Sequence, residues 1–104
     1  MKEITVEELK QMIDNQEDFQ LIDVREEFEY ETSNIEGENI PLGEILLEKD
    51  KVSKDKPVVV HCRSGKRSAQ AILLLEKEGY TNLSNLQGGI LAWRDAFDPN
   101  MPVY

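Results

Sequence analysis

Residues 58–68 read Val58-Val59-Val60-His61-Cys62-Arg63-Ser64-Gly65-Lys66-Arg67-Ser68, and this stretch decides the fold. Three consecutive valines are typical of a short strand that is buried on both faces. A polar loop with one glycine follows the strand, and a mostly apolar run begins just after the loop, at 69–75. We therefore predict a strand, a tight loop and a helix in direct succession, which is the building unit of an α/β fold.

The rest of the chain predicts the same alternation of strands and helices. Thr5 and Glu8 have the spacing of a capping box, which predicts the start of the first helix. The predicted helices are 6–15, 26–31, 42–49, 68–78 and 90–97, and the predicted strands are 21–24, 39–41, 58–61 and 82–86. Gly88 and Gly89 predict a tight turn before the last helix. Short apolar strands between helices indicate a parallel sheet that is covered on both faces.

Composition limits the function classes that the chain can serve. Its 104 residues suit one domain, residues 1–104, and 12 basic against 21 acidic residues give a net charge of −9 at pH 7. Such a surface repels nucleic acid and anionic lipid, so we expect neither as a partner. The N-terminus has no signal-peptide pattern, and no apolar run approaches membrane-spanning length. A single unpaired cysteine favours a reducing compartment, so we expect a soluble cytoplasmic protein.

Cys62 is the only cysteine, and its surroundings predict a reactive thiolate. An ordinary thiol has a pKa of about 8.5, which a helix N-terminus and nearby cations lower. Gly65 lets the backbone bend so that successive N–H groups face an anion. We predict Cys62 as the nucleophile and the rest of the loop as the anion-binding residues: Arg63, Ser64, Gly65, Lys66, Arg67 and Ser68. We expect no metal site and no cofactor.

Three further polar residues lie near the predicted strand ends. His61 precedes Cys62 on a strand, so its side chain should point to the opposite face and serve a structural role. Asp23 and Arg25 end a neighbouring predicted strand at the same edge of the sheet. They either brace the loop or contact substrate, and we favour a structural ion pair between them.

Three motifs in order along the chain resemble the rhodanese sulfurtransferase family, in its single-domain form. The first is Leu21-Ile22-Asp23-Val24-Arg25 with Glu29-Tyr30, the second is the Cys62–Ser68 loop, and the third runs from Leu86 to Trp93 as LQGGILAW. The chain departs from the family at Ser64, where the family's thiosulfate enzymes place a lysine. A second departure is Ser33–Glu38, where the family commonly has Gly-His-Ile-x-Gly-Ala.

The resemblance implies a doubly wound, mostly parallel five-stranded sheet with helices on both faces. It also implies that Cys62 takes a sulfane sulfur from a small anionic donor such as thiosulfate and holds it as a persulfide. The sulfur then passes to cyanide or to a thiol acceptor, which can belong to a partner protein. The backbone N–H groups of residues 63–68 would cradle the persulfide anion.

Two other functions remain open on the same fold. One is a small phosphatase, because some proteins of the rhodanese fold hydrolyse phosphate esters. The order His61-Cys62, then Arg67-Ser68, is also similar to the His-Cys…Arg-Ser pattern of tyrosine phosphatases. Those enzymes place five residues between the cysteine and the arginine, whereas four residues, 63–66, separate Cys62 from Arg67 here. The smaller ring suits one sulfur atom. The other alternative is a protein-binding module or persulfide carrier without catalysis.

Overall fold

The computed structural model describes residues 1–104 and contains one parallel sheet of five strands in the order β1-β5-β4-β2-β3. The strands are β1 (Glu3–Ile4), β2 (Gln20–Asp23), β3 (Glu38–Asn39), β4 (Val58–His61) and β5 (Leu83–Leu86). The α-helices are α1 (Val6–Asp14), α2 (Glu27–Thr32), α3 (Lys66–Lys77) and α4 (Gly89–Phe97). The doubly wound α/β prediction is confirmed. The sequence did not predict β1, which pairs Glu3 with Asn85 of β5.

Each face of the sheet packs against a different set of helices, and this explains the valine run of β4. Val58 and Val60 lie in the apolar cluster that contains Ile72 of α3. Val59 lies on the other face, with Leu9 of α1. All three valines are therefore buried, and full burial of such a side chain contributes about 1.5–3 kcal/mol. The central strand is fixed from both sides, and its carboxyl end delivers Cys62.

Two helix starts show how local residues set the boundaries. Thr5 Oγ1 accepts a hydrogen bond from the Glu8 amide, and Glu8 Oε1 accepts one from the Thr5 amide, both at 3.1 Å. The predicted capping box of α1 is thus confirmed. Helix α3 begins at Lys66, two residues before the predicted start at Ser68, because Gly65 at φ +109° turns the chain directly into the helix.

The predicted helix at 42–49 is wrong. The segment instead forms two short 3₁₀ helices, Leu42–Glu44 and Lys49–Lys51, joined by a turn. Ile45 is buried in the core, but Leu47 is 86% exposed, so the apolar residues here do not form one helical stripe. Gly43 also weakens any α-helix in the segment, by about 1 kcal/mol relative to alanine.

Candidate active site

The Cys62 sulfur lies at the carboxyl edge of the sheet, directly after β4 and beside the N-terminus of α3. The side chain is buried, with 1% of its surface exposed. The amide of Gly65 donates to Sγ at 3.1 Å and the amide of Ser68 donates at 3.4 Å. The Ser68 hydroxyl oxygen also lies 3.4 Å from Sγ. Two amides of the loop, those of Gly65 and Ser68, therefore face the sulfur.

These contacts set the ionisation of the thiol. Burial raises the pKa of Cys62, whereas hydrogen bonds from Ser68 and from the amides of Gly65 and Ser64 lower it. The hydrogen bonds outweigh burial, and the net pKa lies below the ordinary value for a cysteine. A larger share of the residue is therefore thiolate at neutral pH, and the thiolate is the nucleophilic form.

Helix α4 holds the outer side of the loop. The amide of Ile90 donates to the Cys62 carbonyl at 2.9 Å, and the amide of Leu91 donates to the Arg63 carbonyl at 3.2 Å. Gly89, at φ +59°, makes this approach possible, because a Cβ at that position would lie 2.5 Å from both carbonyl oxygens. The Gly-Gly turn therefore begins α4 and also lets the first amides of α4 bond the carbonyl groups of Cys62 and Arg63.

The three cations of the loop have different environments. Arg67 is half-buried and donates from Nη1 and Nη2 to the two carboxylate oxygens of Glu29, at 2.6 and 2.9 Å. This pair lowers the pKa of Glu29, and the same contact raises the pKa of Arg67. Arg63 and Lys66 are exposed, and Arg63 Nε donates to the carbonyl oxygen of Tyr104. The charge of Arg67 is thus paired with that of Glu29 on α2, and the sequence did not predict this contact.

The polar residues at the neighbouring strand ends form a separate buried cluster. Asp23 and Arg25 make the predicted ion pair, with Arg25 Nη2 2.7 Å from Asp23 Oδ2. His61 is fully buried, its Nε2 atom lies 3.7 Å from Asp23 Oδ2, and neither ring nitrogen has a hydrogen-bond partner. Burial lowers the pKa of His61 and favours the neutral imidazole. The imidazole makes no hydrogen bond to the Cys62 sulfur, as the strand geometry predicts.

Asn85 on β5 contacts the loop and was missed by the sequence reasoning. Its Oδ1 atom accepts from the Ser68 hydroxyl at 2.6 Å, and its Nδ2 donates to the Gly65 carbonyl at 3.1 Å. The residue is buried. The one available signal was an asparagine inside a short strand that begins and ends with leucine, where a buried polar side chain requires partners.

Other features of the molecule lie away from this loop. A cavity of about 550 Å³ lies beyond the amino ends of β2 and β4, and its lining includes Phe19, Gln20 and Lys56. No group of three or more His, Cys, Asp or Glu side chains is arranged to hold a metal ion. None of the helices has the length and apolar character required to cross a bilayer. The candidate site is therefore identified by the chemistry around Cys62 and not by cavity size.

Comparison with known proteins gives relatives over almost the whole chain. A sulfurtransferase of Allochromatium vinosum is 38% identical over 94 residues, covering 89% of this chain and 88% of that protein. MoeZ of Mycobacterium tuberculosis, a probable adenylyltransferase/sulfurtransferase, is 36% identical over 107 residues that include 97% of this chain. This chain spans about a quarter of the length of MoeZ, 26%. A rhodanese-like domain protein from Staphylococcus aureus has a similar structure, with a TM-score of 0.85 at 28% identity, covering 100% of this chain and 99% of that one.

The family comparison covers the part of the chain that contains the Cys62 loop and the Gly-Gly turn. The model of the rhodanese-like domain matches residues 5–96, which include every strand except β1 and all of the loop. Together with the relatives that are named sulfurtransferases, this match establishes that the chain belongs to the rhodanese-like domain family.

Proposed function

We propose that Cys62 carries a sulfane sulfur as a persulfide between a small anionic donor, such as thiosulfate, and a nucleophilic acceptor, cyanide or a thiol. The observation that carries this proposal is the pair of amides, Gly65 and Ser68, that donate to Sγ at the start of α3. These donors favour a thiolate before the reaction. The inward-facing amides of the same loop are suited to the terminal sulfur anion after it.

The proposed cycle has two displacement steps. In the first, the Cys62 thiolate attacks the outer sulfur of thiosulfate, a new S–S bond forms, and the old S–S bond breaks with its electron pair on sulfite. In the second, cyanide or a thiolate attacks the outer sulfur of the persulfide, and the electron pair returns to Cys62 Sγ. Neither step changes the net charge or requires an oxidant, and the covalent intermediate divides the transfer into two easier reactions.

The loop geometry favours sulfur transfer over phosphatase activity. Only four residues separate Cys62 from Arg67. The Arg67 guanidinium also uses both terminal nitrogens on Glu29, at 2.6 and 2.9 Å, whereas a phosphatase arginine must offer them to the phosphate. Exposed Arg63 and Lys66 supply positive charge at the mouth of the loop, where an anionic donor would approach.

Residue 64 bears on the choice of donor and acceptor. Ser64 is exposed and uncharged where the family's thiosulfate enzymes place a lysine, so a protein-bound persulfide is a second candidate donor. A thiol on a partner protein is correspondingly a candidate acceptor. We further propose that residues 1–104 act as one rhodanese-like domain and that the protein works in a reducing compartment, the cytoplasm, where a single thiol stays unpaired.

Intact-mass measurement tests the proposal directly. The protein is incubated with thiosulfate, weighed, treated with cyanide and weighed again. We expect a gain of about one sulfur atom that cyanide removes, because Cys62 is the only thiol that can hold it. Cys62→Ser is the matched control and should gain nothing. A protein persulfide tested in parallel distinguishes the two donor classes.

The same experiment separates the alternatives. If neither donor loads the wild-type protein, the persulfide proposal fails. Efficient hydrolysis of an aryl phosphate that Cys62→Ser abolishes would instead support a phosphatase. A partner captured equally well by the wild-type protein and by Cys62→Ser, without sulfur loading, would support a binding module.

A further inference from the structure

A buried chain of hydrogen bonds runs from the Cys62 sulfur to β5. Ser68 Oγ lies 3.4 Å from Cys62 Sγ and donates to Asn85 Oδ1 at 2.6 Å. Asn85 Nδ2 in turn donates to the Gly65 carbonyl at 3.1 Å. Ser68 and Asn85 are both buried, so water does not supply alternative partners. Two residues of the loop, Gly65 and Ser68, are therefore tied to one side chain outside it.

The number of protons available fixes which group donates in each of these hydrogen bonds. The Gly65 carbonyl only accepts hydrogen bonds, so the amide nitrogen of Asn85 faces Gly65 and its oxygen faces Ser68. The oxygen of Asn85 cannot donate, so Ser68 must supply the proton of that bond. A hydroxyl group has only one proton. While Asn85 holds it, Ser68 presents a lone pair to the sulfur, which suits a thiol and not a thiolate.

We propose that Asn85 is a positioning residue that acts on Cys62 through Ser68. Asn85 holds the Ser68 proton when the sulfur is a thiol or a persulfide, and Ser68 turns that proton to the sulfur when it is a bare thiolate. In the persulfide, Sγ is bonded to the outer sulfur and carries no negative charge, so it does not compete for the proton. Asn85 thus favours the thiol and the loaded state over the bare thiolate. The persulfide half of this inference rests on the proposed function.

Removing Asn85 has two opposite effects, and the experiment must separate them. Loss of its oxygen frees the Ser68 proton for the thiolate, which lowers the pKa of Cys62. Loss of its nitrogen loosens Gly65, whose amide donates to Sγ at 3.1 Å, and this raises the pKa. Only the first effect requires the Ser68 hydroxyl. Comparing an Asn85 substitution with and without Ser68→Ala therefore isolates it.

The other charged groups around the loop are the same in all variants. They come from the loop itself, from α2 and α3, and from the ends of β2 and β4: Arg63, Lys66, Arg67, Glu29, Asp23, Arg25 and His61. Their contributions to the pKa of Cys62 cancel in the comparison. Ser84→Ala is the matched control, because Ser84 adjoins Asn85 on β5 but its side chain points to the opposite face.

The experiment titrates Cys62 by the ultraviolet absorbance of its thiolate in the wild type, Asn85→Ala, Ser68→Ala, the double variant and Ser84→Ala. The quantity compared is the change in the pKa of Cys62 that Asn85→Ala causes in the wild-type background and in the Ser68→Ala background. We expect this change to be more negative, by about 0.5–1 pH unit, in the wild-type background. A difference of zero, or one of opposite sign, overturns the proposal. If the alanine variant does not fold, Asn85→Leu repeats the comparison with a better-filled site and the same expected sign.

Sulfur loading then tests the persulfide half separately. At equal concentrations of thiosulfate and sulfite, intact mass gives the ratio of loaded to unloaded protein for each variant. We expect Asn85→Ala to change this ratio in favour of the unloaded protein when Ser68 is present, relative to its effect in the Ser68→Ala background. An effect of Asn85→Ala on this ratio that is the same with and without Ser68, or that is opposite in sign to the expected difference, would overturn this half. The thiol titration requires no sulfur donor. A wild-type protein that shows the pKa coupling but never loads sulfur would therefore reject the proposed function and leave the positioning role of Asn85 intact.

Discussion

Substituting Gly89 by alanine should both destabilise the protein and slow sulfur loading. The residue has φ +59°, a left-handed conformation that costs a non-glycine residue about 1–2 kcal/mol. Its added Cβ would lie 2.5 Å from the carbonyl oxygens of Cys62 and Arg63. These are backbone atoms, so relief requires the loop itself to move by roughly 1 Å to reach an ordinary contact distance of about 3.5 Å.

That movement disrupts the bonds from the Ile90 and Leu91 amides to the same carbonyls, at 2.9 and 3.2 Å. Each bond contributes about 1 kcal/mol, so the expected total loss in the free energy of unfolding is about 3–4 kcal/mol. The amides that face Sγ move with the loop, and a displacement of about 1 Å in a reacting group can reduce a rate roughly 100-fold. We therefore expect loading from thiosulfate to slow by about 10- to 100-fold.

Urea unfolding measures the stability change, and the time course of intact mass measures the loading rate under conditions where the variant is folded. Gly43→Ala is the matched control, because a Cβ there meets nothing within 4 Å and its φ is not in the left-handed region. It should change stability by less than about 0.5 kcal/mol. A Gly89→Ala protein with the stability and loading rate of Gly43→Ala would refute the role assigned to α4.

Two predictions concern pH. Glu29→Gln should destabilise the protein most at neutral pH, because Arg67 depresses the folded-state pKa of Glu29 below its ordinary value of 4.5. This stabilisation is present above pH 4.5 and is lost as the pH falls through the folded-state pKa. Urea unfolding across that range should therefore show the stabilities of the two proteins converging, and a constant difference would contradict the prediction. His61 has a folded-state pKa below its ordinary value of 6.5, so the unfolded chain binds the proton more tightly than the folded protein does. As the pH falls below 6.5, the free energy of unfolding of the wild type should decrease by up to about 1.4 kcal/mol per pH unit relative to that of His61→Gln. Parallel curves of stability against pH for the two proteins would refute this prediction.

The sequence predicted the strand, loop and helix around Cys62 because the signals there are local. Val58 to Val60 are β-branched and buried on both faces, so one short run identifies the central strand. The carboxyl end of that strand then places Cys62 at the edge where ligands bind in open α/β sheets. Opposite orientation of neighbouring strand residues was enough to separate His61 from the sulfur.

The elements that were missed or wrong lack a local signal. Strand β1 has two residues, Glu3 and Ile4, too few to show any periodicity, and its position depends on pairing with β5 at the other end of the chain. The segment 42–49 has apolar residues at helical spacing, but only Ile45 is fully buried and Leu42 packs partly against the core, whereas Leu46 and Leu47 are exposed. Whether this segment forms a helix depends on how it packs against the sheet, and the spacing of its apolar residues does not show that packing.

Contacts that tune the site are distant in sequence, and sequence patterns do not identify such partners. Arg67 pairs with Glu29 across 38 positions, and Asn85 bonds to Ser68 across 17. The cluster of cations in the sequence suggested that their positive charge, including that of Arg67, holds the anion. In the fold, Arg67 instead forms an ion pair with Glu29 of α2. The acidic partner lay within the first family motif, at Glu29, but the motif alone did not say which cation it meets.

The geometry assigns the two kinds of polar group in the loop to different tasks. Neutral backbone amides, from Gly65 and Ser68, contact the sulfur directly at 3.1 and 3.4 Å. The cations Arg63 and Lys66 are exposed, and neither side chain donates a hydrogen bond to the sulfur. Backbone amides carry no net charge, and they can donate hydrogen bonds either to the thiolate or to the outer sulfur of a persulfide. The proposed persulfide cycle exchanges a thiolate for a persulfide anion within this loop, and neutral donors held in place by Asn85 and α4 are suited to that exchange.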